Sequence, residues 1–152
     1  MTFSVRQPTL YELSKLSELC LRSKAVWGYD KDFIEACRAE LTLRPEDLIE
    51  TRMVVAEVAN STVGVAQVKV ADTEADLLKL FVEPSNLHSG TGRLLFDWAC
   101  VQAKEMGANR LLIDADPDAA PFYRHMGCHD VGVVPSGSIP GRMLPRLAFG
   151  LR

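Results

Sequence analysis

The chain carries no block of like charge, no long apolar run and few aromatic residues. Lys plus Arg number 17 against 20 Asp plus Glu, for a formal charge of −3, and the two signs are interspersed. Without a basic stripe, a generic DNA- or RNA-binding role is disfavoured. No stretch approaches the roughly 20 apolar residues of a membrane span, and Met1–Arg6 lacks a basic segment leading into an apolar one, so the sequence reads as cytoplasmic. The four cysteines, Cys20, Cys37, Cys100 and Cys128, form no CxxC pair, and no histidine stands at metal-ligand spacing; buried free thiols are expected and no metal site is. At 152 residues with 47% hydrophobic and 24% charged content, the composition fits one folded domain over residues 1–152.

What is present begins with a helix-start signature. Thr9 can cap while Glu12 reaches back to its amide, and Leu10, Leu13, Leu16 and Cys20 then share one face. That helix should end near Ser23-Lys24. Asp30 caps a second helix with Phe33, Ile34, Cys37 and Leu41 as its buried stripe, ended by Arg44-Pro45. Met53–Val58 and Val63–Val70 are β-branched runs joined through Ala59-Asn60-Ser61-Thr62, a hairpin pattern.

The most informative stretch runs from Asp76 to Cys128. The apolar run Leu77–Val82 leads through a Pro-Ser-Asn turn into Ser89-Gly90-Thr91-Gly92-Arg93. Leu95, Trp98, Ala99, Gln102 and Met106 then recur at helical spacing, and Gly107 closes the helix. Arg110–Ala115 must return parallel to the Asp76 strand through a right-handed crossover. A short helix holding Ala119, Phe122, Tyr123 and Met126 stops at Gly127, and Cys128–Val134 and Leu147–Leu151 are the last strands.

Gly90 and Gly92 lack Cβ atoms, so their amides can approach an oxyanion at a helix end whose first N–H groups are unpaired. Gly-Thr-Gly alone is weak evidence and reads first as a tight turn whose small residues let helix and strand pack. The loop lacks the third glycine of GxGxxG and is not followed by Gly-Lys-Ser/Thr, so the Rossmann and P-loop patterns both fail.

With the flanking motifs included, the chain resembles the GNAT (GCN5-related) N-acetyltransferase family. The resemblance rests on Leu77–Val82 with Glu83-Pro84, Leu87–Gly92, the helix and strand that follow, Asp116-Pro117-Asp118-Ala119, Phe122-Tyr123 and Met126-Gly127. The segments Ser23-Lys24-Ala25, Trp27-Gly28-Tyr29 and Ser136 to Arg142 are similar to those of a bacterial subgroup. Two positions depart from the family pattern: Leu87 stands where Gln or Arg is usual, and Asp116 where Asn is.

The resemblance implies an α/β (α+β) fold with a twisted mixed sheet, whose Asp76 and Arg110 strands splay to admit the pantetheine of acetyl-CoA, and no metal. Backbone groups of Leu80, Phe81 and Val82 would bind the pantetheine, and amides from His88, Ser89, Gly90, Thr91, Gly92 and Arg93 the diphosphate, with Asp116, Ala119 and Phe122 completing the cofactor site. Tyr123 is assigned as general acid or hydrogen-bond donor to the departing sulfur. Asp76 is assigned as base through a bridging water, with Glu57, Glu74, Glu83 and Asp114 as competitors. Trp27, Tyr29 and Arg142 are assigned to the acceptor, whereas Lys24 reads as solvated.

The implied activity is acetyl transfer to an amine of a small molecule, amino acid or peptide by direct attack. A longer acyl donor and a CoA-binding regulatory module without efficient catalysis are the alternatives. No membrane or nucleic-acid partner is expected, and a homodimer would use the apolar C-terminal strand across a two-fold.

Overall fold

The computed structural model describes residues 2–152. Seven strands form one mixed sheet in the order β1-β2-β3-β4-β5-β7-β6. The strands are β1 (Phe3–Arg6), β2 (Arg52–Val58), β3 (Ser61–Ala71), β4 (Glu74–Val82), β5 (Arg110–Asp114), β6 (His129–Pro135) and β7 (Met143–Gly150). Five helices flank them: α1 (Leu13–Ala25), α2 (Lys31–Leu41), α3 (Asp47–Glu50), α4 (Thr91–Glu105) and α5 (Ala120–His125). Among the described residues no helix is long and apolar enough to cross a membrane.

Local chemistry sets the element ends. The Glu12 carboxylate accepts from the Thr9 amide at 2.6 Å in a capping box, but this box closes a 3-10 turn, Leu10–Glu12, before α1 begins. The tighter turn leaves Leu10 at 51% exposure while Leu13, Leu16 and Cys20 go into the core. Asp30 caps α2 as expected, its carboxylate accepting from the Phe33 amide at 2.9 Å. The β2–β3 turn is tighter than the sequence suggests. Val58 pairs with Ser61, so only Ala59 and Asn60 make the turn, both at positive φ, as a two-residue hairpin with the native strand twist requires.

Two elements escape the sequence reading, and a third begins earlier than read. β1 is a short edge strand with no buried side chain, and α3 is a single turn after Pro45. β7 starts at Met143 rather than Leu147 because Pro145 sits within it; the ring removes one N–H, while the Pro145 carbonyl still accepts from Ala115. β7 also lies between β5 and β6, so its backbone is paired on both sides and the sheet edge at this end is β6. The C-terminal strand is therefore not free to extend the sheet across a two-fold.

The core has two faces. One packs Val68, Leu77, Leu111, Ile113 and Leu147 against Phe96 of α4 and Tyr123 of α5. The other packs Met53, Val55 and Val65 against Leu16 and Cys20 of α1 and Leu41 of α2. A β-bulge puts Gln67 opposite Lys79 but Val68 opposite Leu77, so Leu78 is the extra residue and β4 shifts its side-chain alternation there. Lys79 and Phe81 consequently lie towards α1 and α2, and Leu80 and Val82 towards α4.

Candidate active site

β4 and β5 run parallel over only three register pairs: Glu74 with Arg110, Ala75 with Leu111 and Asp76 with Leu112. Beyond Asp76, β4 continues six residues without a β5 partner, and the exit of β5 follows β7 instead. The strands part into a wedge that opens into a cleft of about 590 Å³. This volume is in the range of small-molecule and cofactor sites.

Alternation along a strand decides which backbone groups face the wedge. The Glu83 amide donates back to Val63 on β3 at 2.8 Å, so Phe81, two residues earlier, also turns its backbone to β3. Leu80 and Val82 face the other way. The Val82 N–H is taken by the Ser23 hydroxyl at 3.3 Å, which leaves the Leu80 N–H directed into the gap. Of the three residues assigned to pantetheine, two therefore present main-chain groups to the wedge, while Phe81 reaches the cleft by its side chain.

The glycine loop sits at the same end. Gly90 occupies the N-cap of α4 at φ +92°, where a side chain would be strained, and no neighbour lies within 4 Å of the missing Cβ. The first intrahelical bond runs from the Leu94 amide to the Gly90 carbonyl, so the amides of Thr91, Gly92 and Arg93 have no helical acceptor. Ser89 and Thr91 brace the loop from inside. The Ser89 hydroxyl donates to the Asn86 carbonyl and lies 2.9 Å from the Thr91 hydroxyl, and Thr91 is fully buried. His88, at φ +63°, and Arg93 line the mouth of the cleft. Gly92 lets α4 approach α5, since a Cβ there would meet the Phe122 ring at 3.2 Å.

Tyr123 lines the cleft from α5, next to Ala119 and Phe122. Its ring packs edge-on against Phe122 at 5.1 Å and tilted against Phe96 at 6.2 Å. Burial, with the Cys128 thiol second, pushes its hydroxyl well above the ordinary phenol range, so the group stays a proton-bearing donor. Burial likewise pushes the Cys20 and Cys100 thiols up to about 12 and Cys128 to about 11, which makes them inert rather than nucleophilic.

Among the five candidate carboxylates, four are held by arginines: Glu57 by Arg6, Glu74 by Arg110, Glu83 by Arg22 and Asp114 by Arg146. Asp76 makes no such pair among the described residues and sits at the last rung before the wedge. Its carboxyl is raised above the ordinary value, by desolvation first and by Asp114 second, with Arg146 partly offsetting them. It does not line the cleft wall itself; Asp114, on the adjacent strand, does.

The assigned acceptor residues divide. Trp27 lines the cleft at 44% exposure. Tyr29 and Arg142 instead join Asp116 and Lys24 in a closed cluster. The Tyr29 hydroxyl donates to Asp116 at 2.9 Å, Lys24 Nζ lies 3.2 Å from Asp116 Oδ2, and Arg142 Nη2 donates to the Tyr29 oxygen at 2.6 Å. The Arg142 guanidinium also lies over the Tyr29 and Phe33 rings at 5.0 and 4.8 Å. Lys24 is thus paired, with a side-chain exposure of 14%, rather than solvated. Burial opposes the Asp116 charge, but the Asp118 amide, Lys24 and Tyr29 outweigh it and hold the carboxyl below its ordinary value. Two further residues of the cleft, Ser23 and Lys79, were not singled out from the sequence. Lys79 left a signal there, as the lone charge inside an apolar strand, whereas Ser23 was read only as part of the Ser23-Lys24-Ala25 segment, with no role of its own.

A family model for the GNAT acetyltransferase domain matches residues 23–135, from the hydroxyl that meets Val82 through the wedge and α5. The chain belongs to the GNAT acetyltransferase family. No curated protein sequence matches the chain. Solved structures share the fold at low identity. A GCN5-related N-acetyltransferase from Rhodopseudomonas palustris is 22% identical over 99% of this chain and 97% of its own, with a TM-score of 0.81. The PaiA N-acetyltransferase of Thermoplasma acidophilum, in complex with coenzyme A, is 18% identical over 99% of each chain, with a TM-score of 0.78. YncA of Salmonella typhimurium, solved with its cofactor acetyl-CoA, is 15% identical over 100% of this chain and 95% of its own, with a TM-score of 0.70. This GNAT chain is accordingly an acetyltransferase with the family's sheet and wedge.

Proposed function

We propose that residues 1–152 form one acetyl-CoA-dependent N-acetyltransferase domain that acetylates an amine of a small molecule, amino acid or peptide by direct attack. The observation that carries this reading is the wedge, with the Leu80 N–H directed into it and the unpaired amides of α4 at its mouth.

The residues fit the donor on physical grounds. Gly90 leaves open space where a Cβ would stand, and Thr91, Gly92 and Arg93 aim N–H groups at the loop, the arrangement that holds a diphosphate. Leu80 and Val82 would pair with pantetheine amides as a neighbouring strand would. Arg93 and His88 line the anion end, and Ala119, Phe122 and Asp116 the opposite wall. Bound acetyl-CoA supplies the activated acetyl group.

The chain's own groups then divide the work. The Leu80 N–H donates to the oxygen that gains charge. The Tyr123 hydroxyl donates a hydrogen bond towards the departing sulfur. An ordinary phenol, at roughly 10, is a weaker acid than a thiol at roughly 8.5, and burial raises Tyr123 further, so hydrogen bonding rather than full proton transfer is its role. Asp76, free of an arginine partner, takes the amine's proton through water. Trp27 forms part of the acceptor wall, and Tyr29 and Arg142 act on the acceptor by fixing the loop that carries Trp27.

Calorimetric titration with acetyl-CoA, with dephospho-CoA as comparison, tests the donor site, and thiol release in the presence of amines tests the transfer. Stoichiometric micromolar binding together with amine-dependent release is expected. Binding without turnover of any amine would favour a CoA-responsive module, and no binding to folded protein would sink the reading.

A further inference from the structure

Lys79 is a cation in the cleft with no counter-ion. It stands on β4 one residue before Leu80, on the strand face that looks towards α1 and α2, and it is half-buried. Its ammonium donates to the Gln67 side-chain carbonyl at 3.2 Å, a neutral acceptor. Gln67 is itself 1% exposed and fixed by its amide donating to the Thr51 hydroxyl at 3.0 Å, so the lysine is held in place rather than free to swing out to solvent. No ion pair to Lys79 is made among the described residues. Glu40, Asp47 and Arg44 are its charged neighbours at longer range, and the Glu40 carboxylate is engaged by the Ser138 hydroxyl at 2.9 Å.

An ammonium that has lost much of its water and gained only a neutral oxygen is under-satisfied. A packing role does not account for it, since a β4 residue turned towards Cys20 and Leu41 would pack better as Leu or Met, and the strand around it is apolar. The lysine reaches the cleft on the side opposite α4, away from the amides of the glycine loop. It is therefore placed for the acceptor rather than for the diphosphate of a donor.

Resting on the donor reading above, we propose that Lys79 is an acceptor-binding residue and that the acceptor is a small amine bearing a carboxylate, of the amino-acid class. Because Lys79 immediately precedes the residue whose N–H faces the wedge, the carboxylate lies only a few bonds from the reacting amine. One lysine beside Glu40 suits a monoanion. A phosphate, with two charges and three acceptor oxygens, calls for several donors or an arginine fork.

The test uses the full chain, acetyl-CoA and the common L-amino acids, each paired with its carboxamide, with thiol release as the readout. Wild type, Lys79→Met and Lys79→Arg are compared, and acetyl-CoA binding is titrated for each. The free acids should be preferred over their amides by about 10–100-fold in kcat/KM, the range of a hydrogen bond to a charged group. Lys79→Met should remove that preference through KM, Lys79→Arg should restore part of it, and acetyl-CoA affinity should stay within about twofold of wild type.

Amides used as well as acids, acids not used at all, or an equal loss on acid and amide in Lys79→Met would each overturn the proposal while acetyl-CoA still binds. Failure of wild type to bind acetyl-CoA would overturn the donor reading first, and this one with it.

Discussion

Arg142 Nη2 donates to the Tyr29 hydroxyl at 2.6 Å while Tyr29 donates to Asp116 at 2.9 Å, so a residue of the loop before β7 is wired to the end of β5 through the turn between α1 and α2. Three segments far apart in sequence meet at one carboxylate. The Tyr29 ring, stacked on Phe33 at 4.0 Å, is the spacer that keeps them in register.

Asp116→Asn removes the charge at the centre of that cluster and leaves Lys24 and Arg142 facing a neutral group. A loss of about 1–3 kcal/mol of stability is expected. The Asp116 carboxyl is held below its ordinary value, so its contribution is complete above about pH 3.9, the unfolded value, and disappears as pH falls through the lower folded value. Denaturant midpoints of wild type and variant should therefore differ at pH 7 and converge in strong acid.

Tyr123→Phe keeps the ring contacts with Phe96 and Phe122 and deletes only the donor. The expected result is a kcat lower by about 10–100-fold, the worth of a hydrogen bond to a charged group, with acetyl-CoA affinity unchanged. Because burial raises the hydroxyl, wild-type rates should show no decline from tyrosinate formation up to about pH 10. Single-turnover rates against pH would check both points.

For Asp76→Asn, kcat/KM should fall by at least about tenfold, at the low end of what a general base contributes. The raised carboxyl means that the wild-type rate drops as pH falls through a value above the ordinary aspartate range. The variant should lack that limb, and a pH profile identical to wild type would remove Asp76 from the mechanism.

Gly64→Ala tests the fit of α4 on the sheet. A Cβ at Gly64 would stand 2.8 Å from Leu95 Cδ1, 3.0 Å from Thr91 Cγ2 and 3.2 Å from the Phe81 carbonyl. The carbonyl cannot move without disturbing β4, so a cost of about 1–3 kcal/mol is expected. Thr91 opens the helix that carries the loop, so thermal unfolding should shift down together with a weakening of acetyl-CoA binding.

The strands β2 to β5, the helix α4 and the glycine loop were legible because each is specified locally, by alternation, by three- and four-residue spacing or by glycine. The Asp30 cap was legible for the same reason. β1 was not, since four residues with no buried side chain carry no pattern and are held by pairing to β2 and by Arg6 to Glu57. The contacts of Tyr29, Lys24 and Arg142 were not legible because their partner, Asp116, lies 87 or more residues from the first two in sequence and 26 from the third. The bulge at Leu78 mattered most: it turns Lys79 towards α1 and α2, and no local signal in an apolar run announces a shifted alternation.

Among the described residues, three rungs between β4 and β5 form the strand ladder linking a leaf of four strands, β1 to β4, with a leaf of three, β5, β7 and β6. Mechanically this is a short hinge pin at one end of an open seam. A small rotation about the Asp76–Leu112 rung changes the gap at Val82 far more than at Ala75, because displacement grows with distance from the pivot. A strand-like ligand laid along the seam would rivet the two leaves together, and its arrival would be registered as slower amide exchange on both sides of the sheet at once.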